Sequence, residues 1–378
     1  MITSFELYNI FKKYELTFFT GIPDSTFADW MFFLADHDEK LLINIIACNE
    51  CESIAICVGY YLASGKIGVA YMQNAGFGKT INPLTSLCNP ELYSIPVLLM
   101  IGWRGEPGKL DEPQHKKMGR IMNLLLKDLE IPYVILPSDI GGIEREIKKA
   151  KNYLETNKAP YALIIKKGII KNKKSKENLL LNYEMTREMA LKLIIDKFDQ
   201  NEIIISTTGK TSRELYEYRE GYNKIHKKDF YMVGSMGCAA SIGLGIALQK
   251  KGRRVIVIDG DGALIMQMGA LATIGNKSPP NLIHIVFDNE AHDSTGGQPT
   301  VSPSLNLKEI ALNCNYKYST LIKSKSQLIF ELDKVKKLDG PSMLVIKVKK
   351  GSRKDLGRPK TSFIKLKNNF IRYLEDND

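Results

Sequence analysis

The chain has 378 residues, 44% of them hydrophobic and 25% charged, proportions that suit a globular protein and exclude a disordered or collagen-like one. That length predicts two domains, each long enough to bury its own core. With 53 Lys and Arg against 42 Asp and Glu the net charge is +11, which favours an anionic ligand or partner.

The first residues, Met1-Ile2-Thr3-Ser4-Phe5-Glu6, lack the basic segment and apolar core of a signal peptide. Short apolar runs at 41–47, 68–72, 96–101, 133–136 and 161–165 read as buried strands, with helical patterns at 49–64 and 140–156 between them. The longest apolar stretch, 95–103, is broken by Pro96 and Gly102 and is far too short to span a bilayer, so a cytoplasmic protein is expected. Residues 166–176 read KKGIIKNKKSK, a charge run that predicts a solvated linker. It has neither the interleaved aromatics nor the recognisable fold of a nucleic-acid-binding protein, the reading from another class that the charge invites. Beyond it a helix starts near Thr186, strands are expected at 202–206, 254–259, 282–287 and 342–348, and helices at 235–249 and 264–276. Continuous apolar runs are what parallel strands covered on both faces require. The fold class is therefore α/β, with two open parallel-sheet domains at 1–166 and 185–378 joined by a Lys-rich linker at 167–184. Cys48, Cys51, Cys57, Cys88, Cys238 and Cys314 sit in apolar or helical patterns. Cys48-x-x-Cys51 has no second pair, which argues against zinc and for reduced thiols.

The strand at 254–259 runs into Gly260-Asp261-Gly262-Ala263, and after a helix and a second strand comes Asp288-Asn289. A carboxylate and an amide at neighbouring strand ends meet at the carboxyl edge of the sheet, where ligands bind in open α/β folds. They are hard oxygen donors of the kind Mg²⁺ prefers, and Gly260 and Gly262 let backbone approach a diphosphate. Two look-alikes fail. Gly209-Lys210-Thr211 imitates a P-loop but has Ile204 where the upstream Gly is needed, and Gly76-Phe77-Gly78 has Ile81 in place of the third Gly of a dinucleotide fingerprint. His284 lies in an apolar strand and reads as a core histidine. His115 and His292 lie on loops rich in Gly, Pro and polar residues and are better catalytic candidates.

Asp261 and Asn289 are 28 residues apart, a spacing that resembles the motif of thiamine-diphosphate enzymes. The resemblance assigns Asp261, Asn289 and the Ala291 carbonyl to Mg²⁺, and the Gly260–Ala263 turn, with Thr208, Gly209, Lys210 and Thr211, to the diphosphate. Gly234-Ser235-Met236-Gly237 stands where those enzymes hold the aminopyrimidine. Gly234 is then the partner of its 4′-amino group and Met236 the residue that props the bent coenzyme; a core methionine is the alternative for Met236. Glu50 precedes Gly59-Tyr60 by nine residues, as does the glutamate that bonds the aminopyrimidine N1′ in these enzymes. Glu52 reads as a capping or solvated carboxylate.

The segments GIPDS (21–25), QNAGFGKTINPLTSL (73–87), IGWRGEPG (101–108), DEPQH (111–115), STGGQ (294–298) and GSRKDLGRP (351–359) closely resemble the phosphonopyruvate decarboxylase family. The resemblance implies a pyrimidine-binding domain, then a diphosphate-binding domain, and no middle domain. It implies the non-oxidative decarboxylation of 3-phosphonopyruvate to 2-phosphonoacetaldehyde and CO₂ in phosphonate biosynthesis, with thiamine diphosphate and Mg²⁺. Sulfopyruvate, an anion of similar size, is the alternative substrate. It further implies a homo-oligomer, at least a dimer, with each site shared between subunits. Arg104, Lys79, Arg353, Arg358, Ser25 and Thr295 are the candidates for the substrate anion; Asp24, His115 and His292 are the candidates for proton transfer. Lys79 departs from the family pattern, which leads one to expect Asn there; it either adds positive charge near the substrate or faces solvent.

Overall fold

A computed structural model of the chain describes residues 1–35, 42–171, 182–198, 201–222 and 225–376. The chain divides into two compact units, Met1–Asn178 and Leu179–Asp378.

Unit 1 is built on strands β1 (Phe18–Gly21), β2 (Ile43–Ile46), β3 (Gly68–Gln73), β4 (Val97–Gly102), β5 (Tyr133–Ile135) and β6 (Tyr161–Ile165), in spatial order β2-β1-β3-β4-β6-β5. Unit 2 is built on β7 (Ile203–Ser206), β8 (Asp229–Tyr231), β9 (Val255–Gly260), β10 (Leu282–Asp288), β11 (Tyr318–Ile322) and β12 (Ser342–Lys347), in order β8-β7-β9-β10-β12-β11. Every pairing in both sheets is parallel, and the two orders are the same topology. In each sheet the order reverses beside the first strand, between β1 and β3 and between β7 and β9. At such switch points the loops at the carboxyl edge open a crevice for ligand.

The central strands are buried throughout: β4 and β10 have no exposed position. In unit 1 one sheet face packs on a cluster around Trp30, whose ring meets Phe11, Phe19 and Phe33. In unit 2 the fully buried Arg219 donates to both carboxylate oxygens of the equally buried Asp229. That pair ties helix α2 (Lys210–Tyr222) to β8.

Several expectations need correction. The run at 41–47 is not a buried strand: β2 is the edge of its sheet, and Ile43 and Ile45 are 43% and 38% exposed. The run at 133–136 forms the other edge, β5, with Tyr133 and Ile135 likewise open. An apolar run reports strand propensity, but only strands with a neighbour on each side are covered on both faces. The helix expected over 235–249 starts later, as α3 (Ala239–Gln249), because Gly234, Ser235 and Gly237 have φ of 71°, 46° and 90°, left-handed values a helix cannot take. The helix expected over 264–276 is two pieces, α4 (Asp261–Met266) and Gly269–Lys277. The stretch 167–184 does not open as solvated chain, because Ile169 and Ile170 are buried and Ile170–Lys171 pairs with Ile2–Thr3. Residues 172–181 of that stretch lie outside the described residues. Among the described residues no helix is long and apolar enough to cross a membrane.

Candidate active site

In unit 1, Glu50 opens helix α1 (Glu50–Ser64). The Asn49 side chain accepts from the Glu52 N–H at 3.0 Å, and the Glu52 carboxylate accepts from the Cys48 N–H at 2.6 Å. Glu52 thus serves as a capping carboxylate and satisfies a backbone donor that the helix end leaves open. Glu50 has no capping duty. It is 5% exposed, and its Oε2 is buried and accepts no hydrogen bond. The turn after β3, Asn74–Thr80, closes over it: a Cβ on Gly76 would fall 2.0 Å from Glu50 Oε1, and Lys79 Nζ stands 3.3 Å from Oε2. Lys79 therefore does not simply face solvent, since its ammonium pairs with Glu50.

A second polar group gathers at the same sheet edge. Arg104 donates from Nε and Nη2 to Asp111, at 2.8 and 2.5 Å, and from Nη1 to the Ser25 hydroxyl at 2.8 Å. Burial raises the Asp111 carboxyl, but the Arg104 guanidinium and the Gly105 and Glu112 N–H donors outweigh it and hold the group well below the usual carboxylate range. Asp24 is fully buried. Its Oδ1 accepts from Gln73 at 2.9 Å, its Oδ2 has no donor, and Gly102 leaves the space that Oδ2 occupies. His115 is buried with an unpartnered Nδ1, and burial together with the charge of Arg104 pushes its imidazolium below the ordinary value. Asp24, Ser25, Arg104 and His115 are thus brought together, with Asp111 as the member the sequence reading missed.

In unit 2 the register pairs Gly260 with Phe287, so Asp261 and Asp288 follow at the ends of adjacent strands. Asp261 is 2% exposed, and its Oδ2 accepts from the Thr300 hydroxyl at 2.5 Å. Burial, and then the charge of Asp288, push its carboxyl up to about 7. Asp288 accepts from the Ser302 hydroxyl at 2.5 Å and from Lys347 Nζ at 2.7 Å. Lys347 also reaches Glu290 at 2.7 Å, and the Tyr183 hydroxyl donates to the same Glu290 oxygen. Glu290 has φ 58°, so two side-chain anchors grip the strained residue between Asn289 and Ala291. The Asn289 side-chain oxygen accepts from the Ala291 N–H at 3.2 Å. His292 packs against Gly262, where a Cβ would meet its Nδ1 at 3.1 Å, and burial pushes it down to about 4.

The loop after β7 faces the same switch point. Gly209 has φ 97° with open space where a side chain would stand, Thr207 Oγ1 is buried without a partner, and the Gly234 N–H donates to Thr208 Oγ1 at 2.9 Å. Lys210 and Thr211 begin α2. Ser235 takes the left-handed φ described above, and Met236 is half-buried, which removes the core alternative. Ala263 lies within α4. Two candidates for the substrate anion are engaged elsewhere. Thr295 donates to the His292 carbonyl and to Gln298, and Arg353 is held by Glu188, Glu217 and Asp355. Arg358 is exposed on the same segment. His284 is fully buried, 3.4 Å from the Tyr316 hydroxyl and 3.6 Å from the Asp259 carboxylate, as a core histidine should be. Missed by the sequence reading is a buried network in which Arg187 grips Glu214 with two nitrogens and Asp293 with a third. It anchors the loop that carries His292 and Thr295.

These features fit a diphosphate coenzyme and a divalent cation. There is an acid with an unsatisfied buried oxygen at one sheet edge, and at the other are glycine turns with a carboxylate, an amide and the Ala291 carbonyl, which accepts from the Asp293 N–H at 3.1 Å. Among the described residues no three His, Cys, Asp or Glu form a cluster, so a metal at this edge would draw on mixed donors. Residues 207–346 match the family described as thiamine pyrophosphate enzyme, C-terminal TPP binding domain. A phosphonopyruvate decarboxylase of Streptomyces viridochromogenes is 36% identical over 329 residues, spanning 83% of this chain and 81% of that protein. The chain belongs to the phosphonopyruvate decarboxylase family of thiamine-diphosphate-dependent enzymes. Sulfopyruvate decarboxylases are also related. That of Methanosarcina acetivorans is 30% identical over 330 residues, spanning 80% of this chain and 81% of that protein. The β subunit from Methanocaldococcus jannaschii is 47% identical over 125 residues, 33% of this chain and 63% of that subunit. Family membership makes the chain a thiamine-diphosphate-dependent decarboxylase.

Gly76 supplies a test of the Glu50 cradle. Gly76→Ala should leave the fold intact but displace Glu50, weakening thiamine diphosphate binding about tenfold or more, since a Cβ at 2.0 Å cannot be accommodated without movement. Isothermal titration of the coenzyme into the variant reads this directly; unchanged affinity would show that the Glu50 position is not part of the coenzyme site.

Proposed function

We propose that the protein converts 3-phosphonopyruvate to 2-phosphonoacetaldehyde and CO₂, using thiamine diphosphate and Mg²⁺. The observation that carries this is the buried Asp261 and Asn289 at the ends of adjacent parallel strands, within a chain 36% identical to a phosphonopyruvate decarboxylase over most of both lengths. Residues 1–166 would hold the pyrimidine end of the coenzyme, and residues 185–378 its diphosphate with the cation.

Thiamine diphosphate supplies an electron sink for the bond that breaks when CO₂ leaves. Glu50 would bond and orient the aminopyrimidine N1′, with the Gly234 carbonyl on its 4′-amino group and Met236 as the apolar support. Asp261, Asn289 and the Ala291 carbonyl would hold the cation. The turn of Gly260, Gly262 and Ala263, and the N-terminus of α2 with Thr208 to Thr211, would hold the diphosphate. A helix start presents unpaired N–H donors to an anion. Ser25 and Arg104, already joined, are the best-placed donors for the phosphonate, because one guanidinium can serve a tetrahedral oxyanion through several N–H groups. Asp24 and His115, beside them, would handle protons, with His292 on the unit 2 side. Sulfopyruvate remains the second reading, because a sulfopyruvate decarboxylase is 30% identical over comparable coverage.

We also propose a homo-oligomer whose sites join Glu50 of one copy to Asp261 of another. The related sulfopyruvate decarboxylase of Methanocaldococcus jannaschii has α and β subunits, each of which matches part of this chain. The free thiols of Cys57 and Cys88, buried in unit 1, suit a cytoplasmic setting.

Two experiments test these proposals. Phosphorus NMR of the protein with thiamine diphosphate, Mg²⁺ and phosphonopyruvate should show phosphonoacetaldehyde appearing, and Glu50→Ala should slow it about a hundredfold or more. Faster turnover of sulfopyruvate in a parallel assay, or full activity in the variant, would overturn the assignment. Separately, mixing inactive Glu50→Ala and Asp261→Ala chains under exchange conditions should restore about a quarter of wild-type activity, because mixed dimers then contain one intact site. No recovery on proven subunit exchange would place both residues of each site on one chain.

A further inference from the structure

The segment Asn74–Thr80 is a 3₁₀ turn, in which side chains three residues apart lie on the same face. Gly76 and Lys79 are so spaced, and both bear on Glu50. Gly76 makes room for Oε1, and Lys79 brings its ammonium to 3.3 Å from Oε2. Lys79 is the ion-pair partner found for Glu50 among the described residues, and the pair is unequal: 35% of the Lys79 side chain is exposed against 7% of that of Glu50. A largely buried carboxylate with no hydrogen bond to its inner oxygen depends on its counter-charge, whereas a half-exposed lysine can swing into water at small cost.

We propose that Lys79 is the counter-ion of Glu50 in the coenzyme-free protein, and that the aminopyrimidine N1′ must take its place when thiamine diphosphate binds. Lys79 is then a positioning residue, acting on the coenzyme through Glu50. The inference rests on Glu50 being the N1′ partner. The free chain keeps its carboxylate paired and aimed by the same turn that cradles it, and loading exchanges one partner of that carboxylate for another. Coenzyme affinity is therefore lower than Glu50 and the diphosphate site alone would give.

The test compares wild type with Lys79→Asn and Lys79→Arg by calorimetric titration of thiamine diphosphate in saturating Mg²⁺. Lys79→Asn should bind about three- to tenfold more tightly, the effect of removing a partly buried ion pair that binding must otherwise break. Lys79→Arg, which keeps the charge, should stay near wild type. An analogue with carbon in place of N1′ cannot bond Glu50, and with it the gain from Lys79→Asn should vanish. Equal or weaker binding by Lys79→Asn, or a gain that persists with the analogue, would overturn the proposal.

A coenzyme-free readout separates failure of this inference from failure of the functional reading. Lys79→Asn should lower the thermal midpoint of the free protein when Glu50 is present and leave it unchanged in a Glu50→Gln background. Additive effects of the two substitutions would show that the ion pair does not exist in solution, whatever the coenzyme does.

Discussion

Two carboxylates buried at the ends of adjacent parallel strands are the constraint on which the site depends. Asp261 and Asp288 follow residues paired in register, and both are almost wholly out of water. Like charges placed so in a medium of low polarity repel strongly, and each loses its hydration. Lys347 compensates Asp288 and Glu290 together, with 2.7 Å contacts to each, while Asp261 has a hydroxyl for its partner and is pushed up to about 7. A cation bound there would supply the missing charge, and the turn of Asn289 to Ala291, pinned through Glu290, carries the remaining donors. The protein therefore holds oxygen donors in place at a cost to its own electrostatics, the arrangement a preorganised cation site requires.

The two units repeat one topology, and each uses its switch point differently. In unit 1 the loops after β1, β3 and β4 and the start of α1 present titratable groups: Asp24, Glu50, Arg104 and His115. In unit 2 the loops after β7, β9 and β10 present glycine turns, an amide and a carboxylate. One architecture thus gathers titratable groups at one sheet edge and glycine turns with oxygen donors at the other, the division of labour proposed above for the coenzyme's two ends. The family resemblance alone would not have shown that both edges are the carboxyl edges of sheets with the same strand order.

Much of this was legible in the sequence, for physical reasons. Strands such as β4, β9 and β10 are buried on both faces and so read as unbroken apolar runs. Gly260-Asp261-Gly262 and Asn289 are local motifs at strand ends, and Glu50 is fixed by its place at the start of a helix. What was misread follows the same logic. β2 and β5 are apolar yet lie at sheet edges, and neighbour relations leave no trace in a local pattern. Gly234 and Gly237 flank the delayed start of α3, but a glycine permits a left-handed turn without requiring one, and Ser235 between them carries no such mark. Lys347 and the Arg187–Glu214–Asp293 network were missed because ion pairs between distant segments have no period, and Asp111 because nothing in the local pattern marks its pairing with Arg104 seven residues away. Asp293 is 106 residues from Arg187, and Glu290 is 57 from Lys347. Lys79 was visible as a departure from the family pattern, but only the fold shows that the turn from β3 carries it to Glu50.

The dependence of coenzyme binding on the β9–β10 edge can be measured most directly by titrating thiamine diphosphate into the intact protein, with Mg²⁺ present and after its removal by a chelator. Binding should be tight with Mg²⁺ and fall by about a hundredfold or more without it, because the diphosphate then meets the Asp261 and Asp288 carboxylates with no cation between them. Equal affinity under both conditions would mean that Asp261 and Asn289 do not form a metal site for this coenzyme.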